Sequence, residues 1–194
     1  MTEAEWLACN NAAPMLEYLR EHTKERKLRL FAVACLRCNF GHSPMSRLHI
    51  KGVRAVEKYA DGLISAEKLR TVRESIPLVH PLLIVSFICS DNLFRPFAGR
   101  SWGSLIGWNN QEIVARAVLL RHIIGNPFRP SPAPAAWPST IVQLAQALYD
   151  GKGNRLILAD ALEETGHAEL AEHFRKEERH PKGCWIVDMI LGKE

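Results

Sequence analysis

The sequence predicts an all-α fold: a helical bundle, then a C-terminal helical sub-domain behind a Pro-rich linker. Three observations lead there. Apolar residues recur at i, i+3, i+4 and i+7 along most of the chain. Helix start and stop signals punctuate those stretches in order. Strict apolar–polar alternation never runs beyond about four residues, so no strand is expected. The expected division is an N-terminal helical domain over 1–125, a linker over 126–138 and a C-terminal helical sub-domain over 139–194.

Each element follows from local chemistry. Thr2 and Glu5 have the spacing of a capping box, in which each side chain satisfies a backbone N–H of the first turn. Pro14 suits the first turn of a second helix, ahead of Met15, Leu16 and Leu19. Thr23 is placed to cap a third helix with Leu28, Phe31, Ala32 and Cys35 on one buried face, ending near Asn39 to Gly41. A fourth helix is expected over 46–62, with Val53, Val56, Ala60 and Leu63 inward, and Ser65 opens a fifth that stops before Pro77.

The apolar run from Leu82 to Cys89, broken only by Ser86, is too short for a spanning helix of about 20 residues and reads as core. Residues 93–109, with three glycines and Pro96, read as loop. Asn109 and Glu112 then open a helix carrying Ile113, Ala117, Leu120 and Ile124, closed by Gly125. Five prolines follow within 126–138, which makes that stretch stiff and extended. Beyond it Ser139 and Asn154 open helices, Gly166 stops the second, and two more cover about 168–178 and 183–191.

The bulk numbers set bounds. A chain of 194 residues, 47% hydrophobic and 24% charged, can build a core without disulfides. The start, MTEAEWLACNNAAP, lacks the pattern of a secretory signal, and five cysteines without framework spacing fit reduced thiols, so a cytoplasmic location is expected. The net charge of +4 is uneven: residues 1–75 carry 13 Lys and Arg against 9 Asp and Glu, residues 139–194 carry 7 against 10. A basic front and an acidic tail can attract each other or serve two partners.

Residues 2–38 (TEAEWLACNNAAPMLEYLREHTKERKLRLFAVACLRC) resemble the start of a group of uncharacterised helical proteins of planctomycete-type bacteria. GNPFRP, LAQALYD, RLILADALEETG and KGCWIVDMILGKE resemble the end of the same group, and Arg155 to Arg175 looks like the short helical repeat-companion domain. The resemblance implies a bacterial origin and a helical fold, and it implies no reaction. Residues 39–108 depart from the group's pattern.

Candidate sites are few. Cys35 and Cys38, with His42 and His49, are the one arrangement with metal-ligand spacing. Cys35 also falls on the core stripe and no second matching pair exists, so neither a metal nor a cofactor is expected. His167 and His173 point to different helix faces, Glu169 and His173 read as a surface pair, and Asp160, Glu163 and Glu164 read as a solvated face. No phosphate loop or nucleophile elbow occurs, so no catalytic residue is assigned.

Lys51, Arg54 and Lys58 share a helical face, as residues tracking a phosphate backbone would, with Glu57 and Asp61 interrupting. Trp137 and Trp185 are candidate anchors for a partner. The expected function is therefore a non-catalytic interaction or accessory protein whose partner is another protein. A nucleic-acid-associated protein using the basic front is the alternative, and an enzyme with an unrecognised site stands third.

Overall fold

The computed structural model of the protein describes residues 1–39, 46–77, 88–89, 110–129 and 132–193. Among them every regular element is a helix and none is a strand. The first six are α1 (Glu3–Ala8), α2 (Ala12–Leu19), α3 (Glu25–Asn39), α4 (Arg47–Ala60), α5 (Ala66–Glu74) and α6 (Asn110–Ile124). The last four are α7 (Ser139–Tyr149), α8 (Arg155–Glu164), α9 (Ala168–Lys176) and α10 (Trp185–Leu191). None of these helices is long and apolar enough to cross a membrane.

The start signals act largely as their chemistry requires. Thr2 and Glu5 form both bonds of the capping box, and Asn11, Ser46, Ser65 and Asn154 each accept a backbone N–H of the helix they open. Two caps differ from expectation. The Thr23 N–H closes the preceding turn on the Leu19 carbonyl at 3.0 Å, so α3 begins later, at Glu25. Ser139 is the first residue of α7 and Pro138 holds the cap position without a side-chain bond. Asn109, Gly41 and the run from Leu82 to Phe87 lie outside the described residues.

Buried side chains gather in two clusters. The first joins Trp6, Met15, Leu19, Phe31, Val56 and Leu120 with their neighbours. Its axis is α3, which lies between α4 and α6 and buries every residue from Leu28 to Leu36. A helix flanked on two sides has no solvated stripe there, which is why the single face expected of α3 is too narrow. Leu63 is the opposite case. It sits past the end of α4 at 70% exposure, because the helix stops at Ala60 and the chain turns at Gly62.

The second cluster joins Ile141, Ala145, Leu158, Leu162, Phe174 and Ile186, drawn from α7 to α10. Phe128 packs on the first cluster and Trp137 on the second, so the Pro-rich stretch is anchored near both ends. Asn126 Nδ2 adds a bond of 2.8 Å to Glu3.

A buried ionic network ties the clusters together. Arg26 donates to both carboxylate oxygens of Asp188, at 2.7 and 3.1 Å, and Lys27 Nζ lies 2.7 Å from the same group. Asp61, on the far side, takes the Tyr149 hydroxyl and lies 3.5 Å from Arg26 and 3.6 Å from Lys182. Burial works to lower the Arg26 pKa, but the bonds and charge of Asp188 outweigh it and raise it. Tyr149 is raised by burial first and by its bond to Asp61 second.

Candidate metal centre

Where α6, α9 and the start of α10 meet, four donor side chains converge: His122, His173, His180 and Cys184. One ligand atom from each lies within 4.8 Å of all the others. They come from three places in the chain. His122 is in the last turn of α6, His173 in the last turn of α9, and His180 and Cys184 lie on the connection that opens α10.

The local structure explains their convergence. Gly183 holds φ +93°, and a Cβ there would meet Leu30 Cβ at 3.0 Å, so only glycine lets the chain pass this close to α3. That passage brings the Gly183 carbonyl to Lys27 Nζ at 3.0 Å, while the same ammonium takes the Ile123 carbonyl at 3.1 Å. Lys27 thus clamps the residue after His122 to the residue before Cys184. Gly125, at φ +78°, ends α6 beneath the Trp185 ring, 3.0 Å from where a Cβ would stand.

Ring orientations suit coordination. His180 Nε2 bonds the Glu177 carbonyl at 2.9 Å, which turns Nδ1 toward Cys184 Sγ at 3.8 Å. A histidine ligand held by a carbonyl on its other nitrogen is the usual outer-shell arrangement. His173 Nε2 lies 3.4 Å from the same sulfur. The His122 ring stands 4.5 Å from that of His173 and 5.0 Å from that of His180, centre to centre. His122 is 6% exposed, and its Nε2 is buried with no hydrogen-bond partner. A buried imidazole nitrogen without a partner costs free energy unless something binds it.

Electrostatics keep the imidazoles neutral. Burial pushes His122 down to about 3, helped by the neighbouring His173 and His180 rings and by Lys27. His173 and His180 are each lowered to about 4, again chiefly by burial. A neutral imidazole is the form that binds metal. The Cys184 thiol is pushed up to about 11 by burial, opposed by the backbone N–H groups of Val187 and Ile186 and by Lys27. A divalent cation at this point deprotonates a coordinating thiol outright.

The residues singled out from the sequence lie elsewhere. Cys35 is in the first core, where burial raises its thiol to about 12, and Cys38 is exposed. His49 is buried on α4 with Nδ1 2.6 Å from its own cap, Ser46 Oγ, and His42 lies outside the described residues. The only metal-competent group found among the described residues is therefore not the Cys35–Cys38 pair. His173, read as the surface partner of Glu169, faces the cluster instead.

Trp137 and Trp185 are partly buried against the second core, with Trp137 beside His167 at 4.9 Å and Trp185 edge-on to His173 at 6.1 Å. Asp160 and Glu163 both pair with Arg175, on the solvated face expected of them. Lys51, Arg54 and Lys58 do share one exposed face of α4.

In the sequence the donor set is spread over 63 positions, counting from His122 to Cys184. The signal that could have found it is local: His173, His180 and Cys184 stand seven and four residues apart, ahead of a helix. Comparison with known protein families, curated proteins and solved structures finds no match for this chain.

Proposed function

We propose that the protein is a non-catalytic, zinc-binding accessory protein of the bacterial cytosol. In this reading the ion fastens the C-terminal helices onto α6, and the assembled surface engages a macromolecular partner. One observation carries it: three imidazoles and a thiol, from three chain segments, bring one donor atom each within 4.8 Å of all the others, and His122 keeps a buried Nε2 without a hydrogen-bond partner. Imidazole and thiolate donors suit zinc, whereas calcium and magnesium take oxygen ligands.

Four ligands around a tetrahedral zinc sit about 3.3–3.8 Å apart, from metal–ligand distances of about 2.0–2.3 Å. The contacts of Cys184 Sγ with His173 Nε2 and His180 Nδ1 already fall near that range. Four protein donors also fill a tetrahedral shell, whereas a catalytic zinc keeps one position for water. That completeness favours a structural ion over a reactive one.

Elemental analysis of protein purified without a histidine tag tests the reading, with cobalt substitution as a second readout. Zinc at about one ion per chain is expected, together with a cobalt spectrum whose sulfur-to-metal band disappears in Cys184→Ser. Substoichiometric metal in wild type, or stoichiometric metal retained by a His122→Ala, Cys184→Ser double variant, would sink the proposal.

A further inference from the structure

A groove of about 570 Å³ runs along α4 and α5 and shares no lining residue with the candidate metal centre. Its rim carries Arg47, Lys51, Arg54, Lys58 and Lys68, and its floor is Ile50, Ala55, Ile64 and Val72. Among the described residues no carboxylate lines it. The two acids that interrupt the basic stripe in the sequence are turned away: Glu57 is buried against Arg37 at 2.7 Å, and Asp61 points into the network with Arg26 and Tyr149. The groove therefore presents five cations around an apolar strip.

The complementary shape stands on the same chain. On α8, Leu156 and Ile157 are 45% and 53% exposed, an apolar ridge without cover among the described residues. Asp160, Glu163 and Glu164 follow on the exposed side of the helix, and Arg175 neutralises only part of that charge. Ile157, Asp160 and Glu164 are spaced as one helical face. An exposed aliphatic pair continued by carboxylates matches an apolar floor rimmed by cations, in both polarity and helical form.

We infer that the α4–α5 groove binds the α8 ridge of a second copy of this chain, so that the protein associates head to tail. The contact is heterologous: each copy offers a groove to one neighbour and a ridge to the other. The apolar floor favours this occupant over a nucleic acid. A phosphate backbone would use the cations but leave the four floor residues without a role, and among the described residues no aromatic side chain lines the groove for base stacking. A contact this small belongs with transient interfaces of under about 1,200 Å², so the association is weak and salt-sensitive.

Sedimentation from about 5 to about 500 µM protein, at low and high salt, reads the association directly. The average mass should rise with concentration and fall with salt. The triple variant Lys51→Glu, Arg54→Glu, Lys58→Glu should stay monomeric, as should Asp160→Lys with Glu164→Lys. An equimolar mixture of the two variants should associate again, because the native groove of one meets the native ridge of the other and the reversed groove meets the reversed ridge. All variants should keep the wild-type melting profile and metal content, which separates this test from that of the zinc reading. A chain that is monomeric throughout overturns the proposal. So does association that survives both reversals, or a groove that binds duplex DNA or an acidic peptide while the chain stays monomeric.

Discussion

The two halves of the molecule reach a closed core by different means. In the first, α3 and α6 are each 15 residues long and α4 is 14, and α3 runs through the middle with side chains buried all round. In the second, the four helices have 11, 10, 9 and 7 residues. Helices that short are marginal alone in water and depend on what they pack against. The second half supplies the difference with polar chemistry at its border: the donor cluster on one side and the Asp188 network on the other. The first half sets its short helices against long ones, α2 on α6 and α5 on α4; the second half has no long helix, and specific polar partners at its border do part of the holding.

Acid separates the halves most strongly. The three cluster imidazoles are held neutral, with pKa values near 3 to 4 against an ordinary 6.5. Below about pH 6.5 the unfolded chain takes up protons that the folded cluster refuses. Their contribution to stability is complete above that pH and is lost as the pH falls toward about 4. Hydrogen exchange at decreasing pH, on chelator-treated protein, should show residues 139–193 opening before residues 1–39. Simultaneous loss of protection in both would remove the distinction. Zinc binding should shift the opening to lower pH, because the ion competes with protons for the same nitrogens.

Within the first half, the effect of Phe31→Ala should be independent of metal. Phe31 is fully buried at the centre of α3, and truncation of such a ring costs about 3–5 kcal/mol. Denaturant melts with and without zinc should give the same loss. A loss that depends on zinc would mean that the two cores are not energetically distinct.

Asp188→Asn tests the seam. It removes the charge facing both Arg26 and Lys27; Arg26 keeps Asp61 at 3.5 Å, whereas Lys27 loses the carboxylate at 2.7 Å, and leaving a buried cation without its counter-ion costs about 3 kcal/mol. Lys27 is already lowered by burial, against the pull of Asp188, and should fall further once that charge is gone. The variant should melt in two transitions where wild type shows one. A single transition at the wild-type midpoint would show that the network contributes little to holding the halves together.

Much of the helical frame was legible because its causes are local. The Thr2–Glu5 box, the Ser65 and Asn154 caps and the glycine stops at Gly125 and Gly166 each depend on residues within one turn. Thr23 and Leu63 misled for a related reason. The choice between neighbouring cap positions, or between a last helical turn and a turn past its end, is settled by backbone bonds that residue type alone does not fix.

The candidate site was not legible, and the Cys35–Cys38 pair shows why. A two-residue spacing is conspicuous in a chain, yet on α3 it puts one thiol in the core and the other in solvent. His122 and Cys184 have nothing to connect them in sequence. They meet because Gly183 and Lys27 draw the start of α10 against α6.

The same holds for charge. The sequence by itself determined an all-helical chain with a basic front and an acidic end, since periodicity, caps and composition are properties of neighbours along the chain. Only the tertiary structure decided which charges remain on the surface. It turned Glu57 and Asp61 inward, left the lysines and arginines of α4 outward, and brought His122 to the donors His173, His180 and Cys184 more than 50 positions further along the chain. Burial and convergence are set by packing between segments, and no spacing within one segment encodes them.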